Sequence, residues 1–204
     1  MNRQKDNALD ILLGGIFEAE RNQLDEDDIE KQEYDQYLEN LLKDFLLKDK
    51  TPFRQKLYTD FKNGAPLTGK NGIRKKLAAY DMEFFGRAYL PHYFVRKSPH
   101  FHEELDSIWS EGVMKNLIPL TKAVRRKISR AKGCKRAIAA PRGHAKSTTL
   151  TFKGSLHSVL YEYKHYIIIL SDSSEQAESF LDAIKTEIEE NEHIIEDFGD
   201  LAGN

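Results

Sequence analysis

The stretch Ala139-Ala140-Pro141-Arg142-Gly143-His144-Ala145-Lys146-Ser147-Thr148-Thr149 decides how this chain is read. Before it, Cys134 to Ala140 ends in a short apolar run suited to a buried strand. After it, Ser147 to Leu160 can continue as a helix. Strand, tight turn and helix N-terminus make a geometry that holds a polyphosphate, because backbone N–H groups and the positive end of the helix dipole face the anion. Lys146 adds a mobile positive charge, and the neighbouring Ser147 hydroxyl suits Mg²⁺. The strict pattern G-x-x-x-x-G-K-[ST] is not met. Ala140 and Ala145 occupy its two glycine positions, and the loop's only glycine, Gly143, falls two places early. On the loop alone, an ordinary strand–helix turn is the competing reading.

The segments downstream favour the phosphate site. Tyr166-Ile167-Ile168-Ile169-Leu170 is a β-branched apolar run that reads as a buried parallel strand. Ser171-Asp172-Ser173-Ser174 reads as a turn and helix cap. Glu175 to Asn191 follows as a helix with Ala177, Phe180, Leu181, Ile184 and Ile188 on one stripe. The order strand, loop, helix, strand, helix predicts an α/β nucleotide-binding core.

Upstream, charge is distributed unevenly. No Asp or Glu occurs from Gly112 to Tyr161, whereas that span holds twelve of the 31 Lys and Arg residues, leaving 19 against 33 acidic residues elsewhere. A basic zone in an otherwise acidic chain points to a polyanion, or to a solvated basic helix balanced by acidic neighbours. Leu117, Leu120, Val124, Ile128 and Ala131 recur at helical spacing there, with Lys122, Arg125, Arg126 and Arg130 off the stripe. Such a helix suits contact with the DNA backbone, which is sequence-independent and weakens with salt.

Residues 7 to 48 read as helical, with Ile29, Tyr34, Tyr37, Leu38, Leu41, Leu42, Phe45 and Leu46 on one face, packed on a neighbour or offered to a partner helix. Asn63 to Gly72 carries three glycines and a proline, which oppose both helix and strand. The expected division is a helical region over 1–72 and a nucleotide-binding domain over 73–204. Residues 73–90 read as helix ending at Pro91, and Pro99-His100-Phe101-His102 opens another. The single cysteine, Cys134, excludes an internal disulfide and a multi-cysteine zinc site, and fits a reducing, intracellular setting. No apolar run approaches the ~20 residues of a membrane span, and the N-terminus lacks a signal-peptide stretch.

Taken together, Phe84-Phe85-Gly86-Arg87-Ala88-Tyr89-Leu90-Pro91-His92-Tyr93-Phe94 with Phe101-His102-Glu103-Glu104-Leu105, the loop, and Tyr166 to Ala177 resemble the N-terminal ATPase region of bacteriophage terminase large subunits. The resemblance covers roughly residues 80 to 200. It implies a P-loop NTPase core of the RecA-like kind, incomplete here and preceded by a helical region. Members of the family carry a second acidic motif (Walker B), a coupling motif and an RNase H-like nuclease; none is found in this sequence. Ile194-Ile195-Glu196-Asp197 reads as a helix end, not as the acidic motif. The resemblance therefore implies a fragment, split gene or prophage remnant that binds ATP but hydrolyses little.

On the family's pattern, Lys146 neutralises the β- and γ-phosphates and Ser147 ligates Mg²⁺. Amides from Gly143 through His144, Ala145 and Lys146 to Ser147 cradle the phosphates, and Thr148 caps the helix or supports the site. Arg142 matches an arginine proposed to sense γ-phosphate charge. Phe101 or His102 is placed to meet adenine, or simply packs at a helix start. The implied cofactors are ATP and Mg²⁺. The implied partners are double-stranded DNA, a portal protein, a small terminase subunit and further copies in a ring, in the cytoplasm of a bacterial host. The alternatives are another nucleic-acid motor of the helicase kind, or an ATP-independent module that binds DNA and a protein partner.

Overall fold

The computed structural model describes residues 26–114, 135–140, 143 and 145–201. The expected helix over 7–25, the basic helix with Lys122, Arg125, Arg126 and Arg130, and the loop residues Arg142 and His144 lie outside the described residues. The chain divides into two compact units, Met1–Asp44 and Phe45–Asn204.

Helix α1 spans Glu26–Leu46. Leu38, Leu41, Leu42, Phe45 and Leu46 are buried on it, an i, i+3, i+4, i+7, i+8 stripe that gives a helix one apolar face. The second unit continues with α2 (Pro52–Lys62), α3 (Ile73–Ala78), α4 (Met82–Tyr89) and α5 (His100–Trp109). Pro52 starts α2, where its missing N–H costs nothing. The reading of 73–90 as one helix is corrected: Asp81 breaks it in two. Its carboxylate accepts the Phe84 N–H at 2.9 Å as an N-cap and takes an ion pair from Arg54 at 2.6 Å.

Helix α4 is the centre of this unit. Met82, Phe84, Phe85, Ala88 and Tyr89 on it are all buried. Phe84 meets Phe45 edge to face at 5.4 Å, and Phe85 meets His157 at 4.8 Å. Glu83 is buried too, and is compensated by Lys48 at 3.0 Å and the Ser98 N–H at 3.2 Å. A buried carboxylate needs such partners, since its desolvation is otherwise unopposed.

Beyond the loop, α6 opens with wide π-helical turns over Thr148–Lys153 and continues as α-helix over Gly154–Leu160. Helix α7 (Ser174–Glu190) is capped by Ser173, whose hydroxyl accepts the Gln176 N–H, and α8 spans Glu192–Phe198 with Asn191 as its cap. The stripe expected on α7 is buried only at Ile184, with Leu181 47% exposed.

The expected α/β core is not what forms. Among the described residues there is no strand, and the regular structure is helical throughout. Lys135–Ala140 and Tyr166–Leu170, read as the two core strands, are both irregular. Tyr166, Ile168 and Leu170 are 82%, 65% and 89% exposed, the reverse of a buried parallel strand. The physical reason is that a β-branched run supplies only local preference, while a strand exists by pairing its N–H and C=O groups with a neighbour. Among the described residues no second strand lies beside either run to complete a ladder.

Asn63 to Gly72 is a folded turn. Its Thr68 hydroxyl donates to Glu196 at 2.7 Å, and the Gly69 N–H donates to Asp197. A Cβ on Gly72 would stand 2.5 Å from the Thr68 carbonyl carbon, so only glycine fits that approach. No described helix is long and apolar enough to cross a membrane.

Candidate phosphate-binding loop

Gly143 has φ 80° and Ala145 has φ 50°. Both lie in the left-handed region, which costs an alanine about 1–2 kcal/mol. Ala145 stands where the strict phosphate-loop pattern has its second glycine, so the backbone adopts the glycine conformation although the glycine is missing. Lys146 follows in helical conformation, and Ser147 has φ −67° and ψ −40°. A left-handed residue followed by right-handed ones turns successive N–H groups to one side, the concavity that binds anions.

The first helical bond runs from the Thr149 N–H to the Ala145 carbonyl at 2.8 Å. The amides of Lys146, Ser147 and Thr148 precede it, in the part of a helix whose N–H groups have no intrahelical acceptor. Lys146 is half-buried and has no ion pair or hydrogen bond among the described residues, while Ser147 is exposed. Thr148 is half-buried beside it. Thr149 is 1% exposed, and its Oγ1 lacks a hydrogen-bond partner among the described residues.

Helix α5 supports α6 through two contacts. Gly154 lies against the indole of Trp109, so close that a Cβ there would stand 2.8 Å from the ring. Lys153 Nζ lies 2.7 Å from Oδ1 and 2.9 Å from Oδ2 of Asp106, hydrogen-bonding the second and holding the first by charge. Lys153 is 1% exposed. Burial dominates both partners, pushing the Asp106 carboxyl up and the Lys153 ammonium down, against their mutual attraction. The Lys153 ammonium also stands 4.9 Å from the Phe94 ring. Phe101 and His102 occupy the first turn of α5, half-buried, their rings 5.9 Å apart. The contacts of α5 with α6 just described are made further along, by Asp106 and Trp109.

The basic zone is partly neutralised within the fold. Lys153 belongs to the ion pair above, and Arg136 faces Glu111 at 3.3 Å with both side chains half-exposed. The span is free of acids in sequence, but α5 brings Asp106 and the turn after it brings Glu111 to meet it.

A second cluster escaped the sequence reading. Arg74 is fully buried and bonds Asp197, Glu196 and the His193 carbonyl. The Tyr89 hydroxyl also donates to Asp197, and Lys75 donates to the Asp197 carbonyl at 2.8 Å. Glu196 and Asp197 therefore clasp α8 to α3. No protein-family model, curated protein or solved structure matches this chain.

Proposed function

We propose that the chain is the ATP-holding part of a DNA-packaging motor of the terminase large-subunit kind, acting on double-stranded DNA. The observation that carries the reading is Ala145: its positive φ sits at the position where a phosphate loop requires a glycine, with Lys146 and the exposed Ser147 directly after it.

The residues present suit a triphosphate. The amides that precede the first helical bond supply donors, and Lys146 supplies a charge with no partner among the described residues. The Ser147 hydroxyl would hold Mg²⁺, which would supply positive charge against the phosphates. Gly143 gives the backbone its turn, and Arg142 and His144 flank it in sequence. The basic segment with Lys122, Arg125, Arg126 and Arg130 would meet DNA phosphates. Portal, small-subunit and ring contacts belong to the same reading through the resemblance alone.

Calorimetric titration with ATP, ADP and AMP at fixed Mg²⁺ tests this. Affinity that falls with each phosphate removed is expected. Equal affinity for ATP and AMP, or no binding of any of them, rejects it.

A further inference from the structure

Within the connection from α6 to α7, Tyr166-Ile167-Ile168-Ile169-Leu170 is a run without a charge. Exposure alternates along it: Tyr166, Ile168 and Leu170 are open, and Ile167 and Ile169 are half-buried. That is the two-residue side-chain period of a strand with one face against its own chain. Among the described residues its backbone makes no hydrogen bond. An apolar, uncharged segment with unsatisfied ladder groups is a template for pairing with another strand.

The flanking charges indicate the occupant. Lys164 and Asp172 lie four positions on either side of Ile168, and both are exposed. We propose that two copies of this chain pair here, antiparallel, about a two-fold axis through Ile168. In that register Ile168 faces its own counterpart, Tyr166 faces Leu170, and Lys164 faces Asp172. Each unlike pair occurs twice, as an isologous interface requires. Extended as a paired strand, the segment would put Lys164, Tyr166, Ile168, Leu170 and Asp172 on one face by parity. The open face is thus apolar in the middle and oppositely charged at its ends, complementary to itself when reversed. In-register parallel pairing would set Lys164 on Lys164 and Asp172 on Asp172, which is unfavourable. A one-residue slip in the antiparallel arrangement sets Lys164 against Ser171 and loses the charge match. This pairing requires no nucleotide.

Sedimentation equilibrium of the full chain over a wide concentration range tests it. A monomer–dimer equilibrium is expected. Ile168→Lys, at an exposed position, abolishes the dimer and leaves the far-ultraviolet helical signal unchanged. Lys164→Asp weakens dimerisation by about tenfold, and Lys164→Asp with Asp172→Lys restores it to within about twofold. A monomer at all concentrations, association that runs past the dimer, or failure of the double charge reversal to restore it overturns the proposal.

Discussion

Arg74 and Asp197, 123 positions apart, form a doubly bonded ion pair with both side chains fully buried: Nε to Oδ2 at 2.7 Å and Nη2 to Oδ1 at 2.8 Å. The pair fixes α8 against α3, with the Tyr89 phenol completing the carboxylate's shell. Asp197→Ala leaves the Arg74 charge buried with the half-exposed Glu196 as its remaining carboxylate, and costs about 3–5 kcal/mol. Glu196→Gln, whose side chain is 45% exposed, costs under about 1 kcal/mol. Urea midpoints of the two variants measure the contrast; equal losses would mean that Asp197 does not bear the clasp.

Gly154→Ala drives a methyl into the Trp109 indole at 2.8 Å. The half-buried ring or the α6 backbone must shift, and overpacking of this kind costs about 1–3 kcal/mol. The expected outcome is a lower melting temperature with a changed tryptophan spectrum, Trp109 being the only tryptophan. An unchanged melting temperature would show that α5 and α6 are not held by this contact.

His157 is fully buried, its Nε2 2.9 Å from the Ala78 carbonyl, among the rings of Phe85, Tyr161 and Tyr163. Burial lowers its pKa from 6.5 to about 4. The folded state therefore resists protonation that the unfolded chain accepts. The stability contributed by the neutral ring is complete above pH 6.5 and falls as pH drops towards 4, by about 3 kcal/mol in all. His193 acts in the same direction, its pKa also about 4 through burial and then the Arg74 charge. Urea midpoints between pH 7 and 4 should fall, and His157→Gln should flatten the slope. A slope untouched by that substitution would remove His157 as its source.

The basic segment is expected to bind duplex DNA through phosphates alone. Neutralising Arg125, Arg126 and Arg130 together should lower the slope of log affinity against log salt by about 3, uniformly across DNA sequences. A sequence-dependent loss, or an unchanged slope, would place the DNA contact elsewhere.

The helices were legible where periodicity and caps are local. Pro99 opens α5, Ser173 caps α7, and Leu38, Leu41, Leu42, Phe45 and Leu46 trace one face of α1. The two runs expected as strands were misjudged, because Tyr166–Leu170 announces a local preference that only a pairing partner can satisfy, and among the described residues neither run forms a strand. The Arg74–Asp197 clasp was equally invisible: nothing in Ile194-Ile195-Glu196-Asp197 names a partner at position 74. The Lys153–Asp106 pair was hidden inside a run counted as free positive charge. The loop was legible as a set of residue types. Its missing glycine obscured the backbone, which takes the left-handed turn at Ala145 all the same.

That turn is the account's central claim, and a titration with a fluorescent ATP analogue in the presence of Mg²⁺ tests it most directly. Wild type should bind. Lys146→Ala should lose at least about tenfold in affinity, and Ala145→Gly should bind as well or better, since glycine takes φ 50° without the alanine's cost. Binding that survives Lys146→Ala unchanged, or that Ala145→Gly abolishes, would contradict the account.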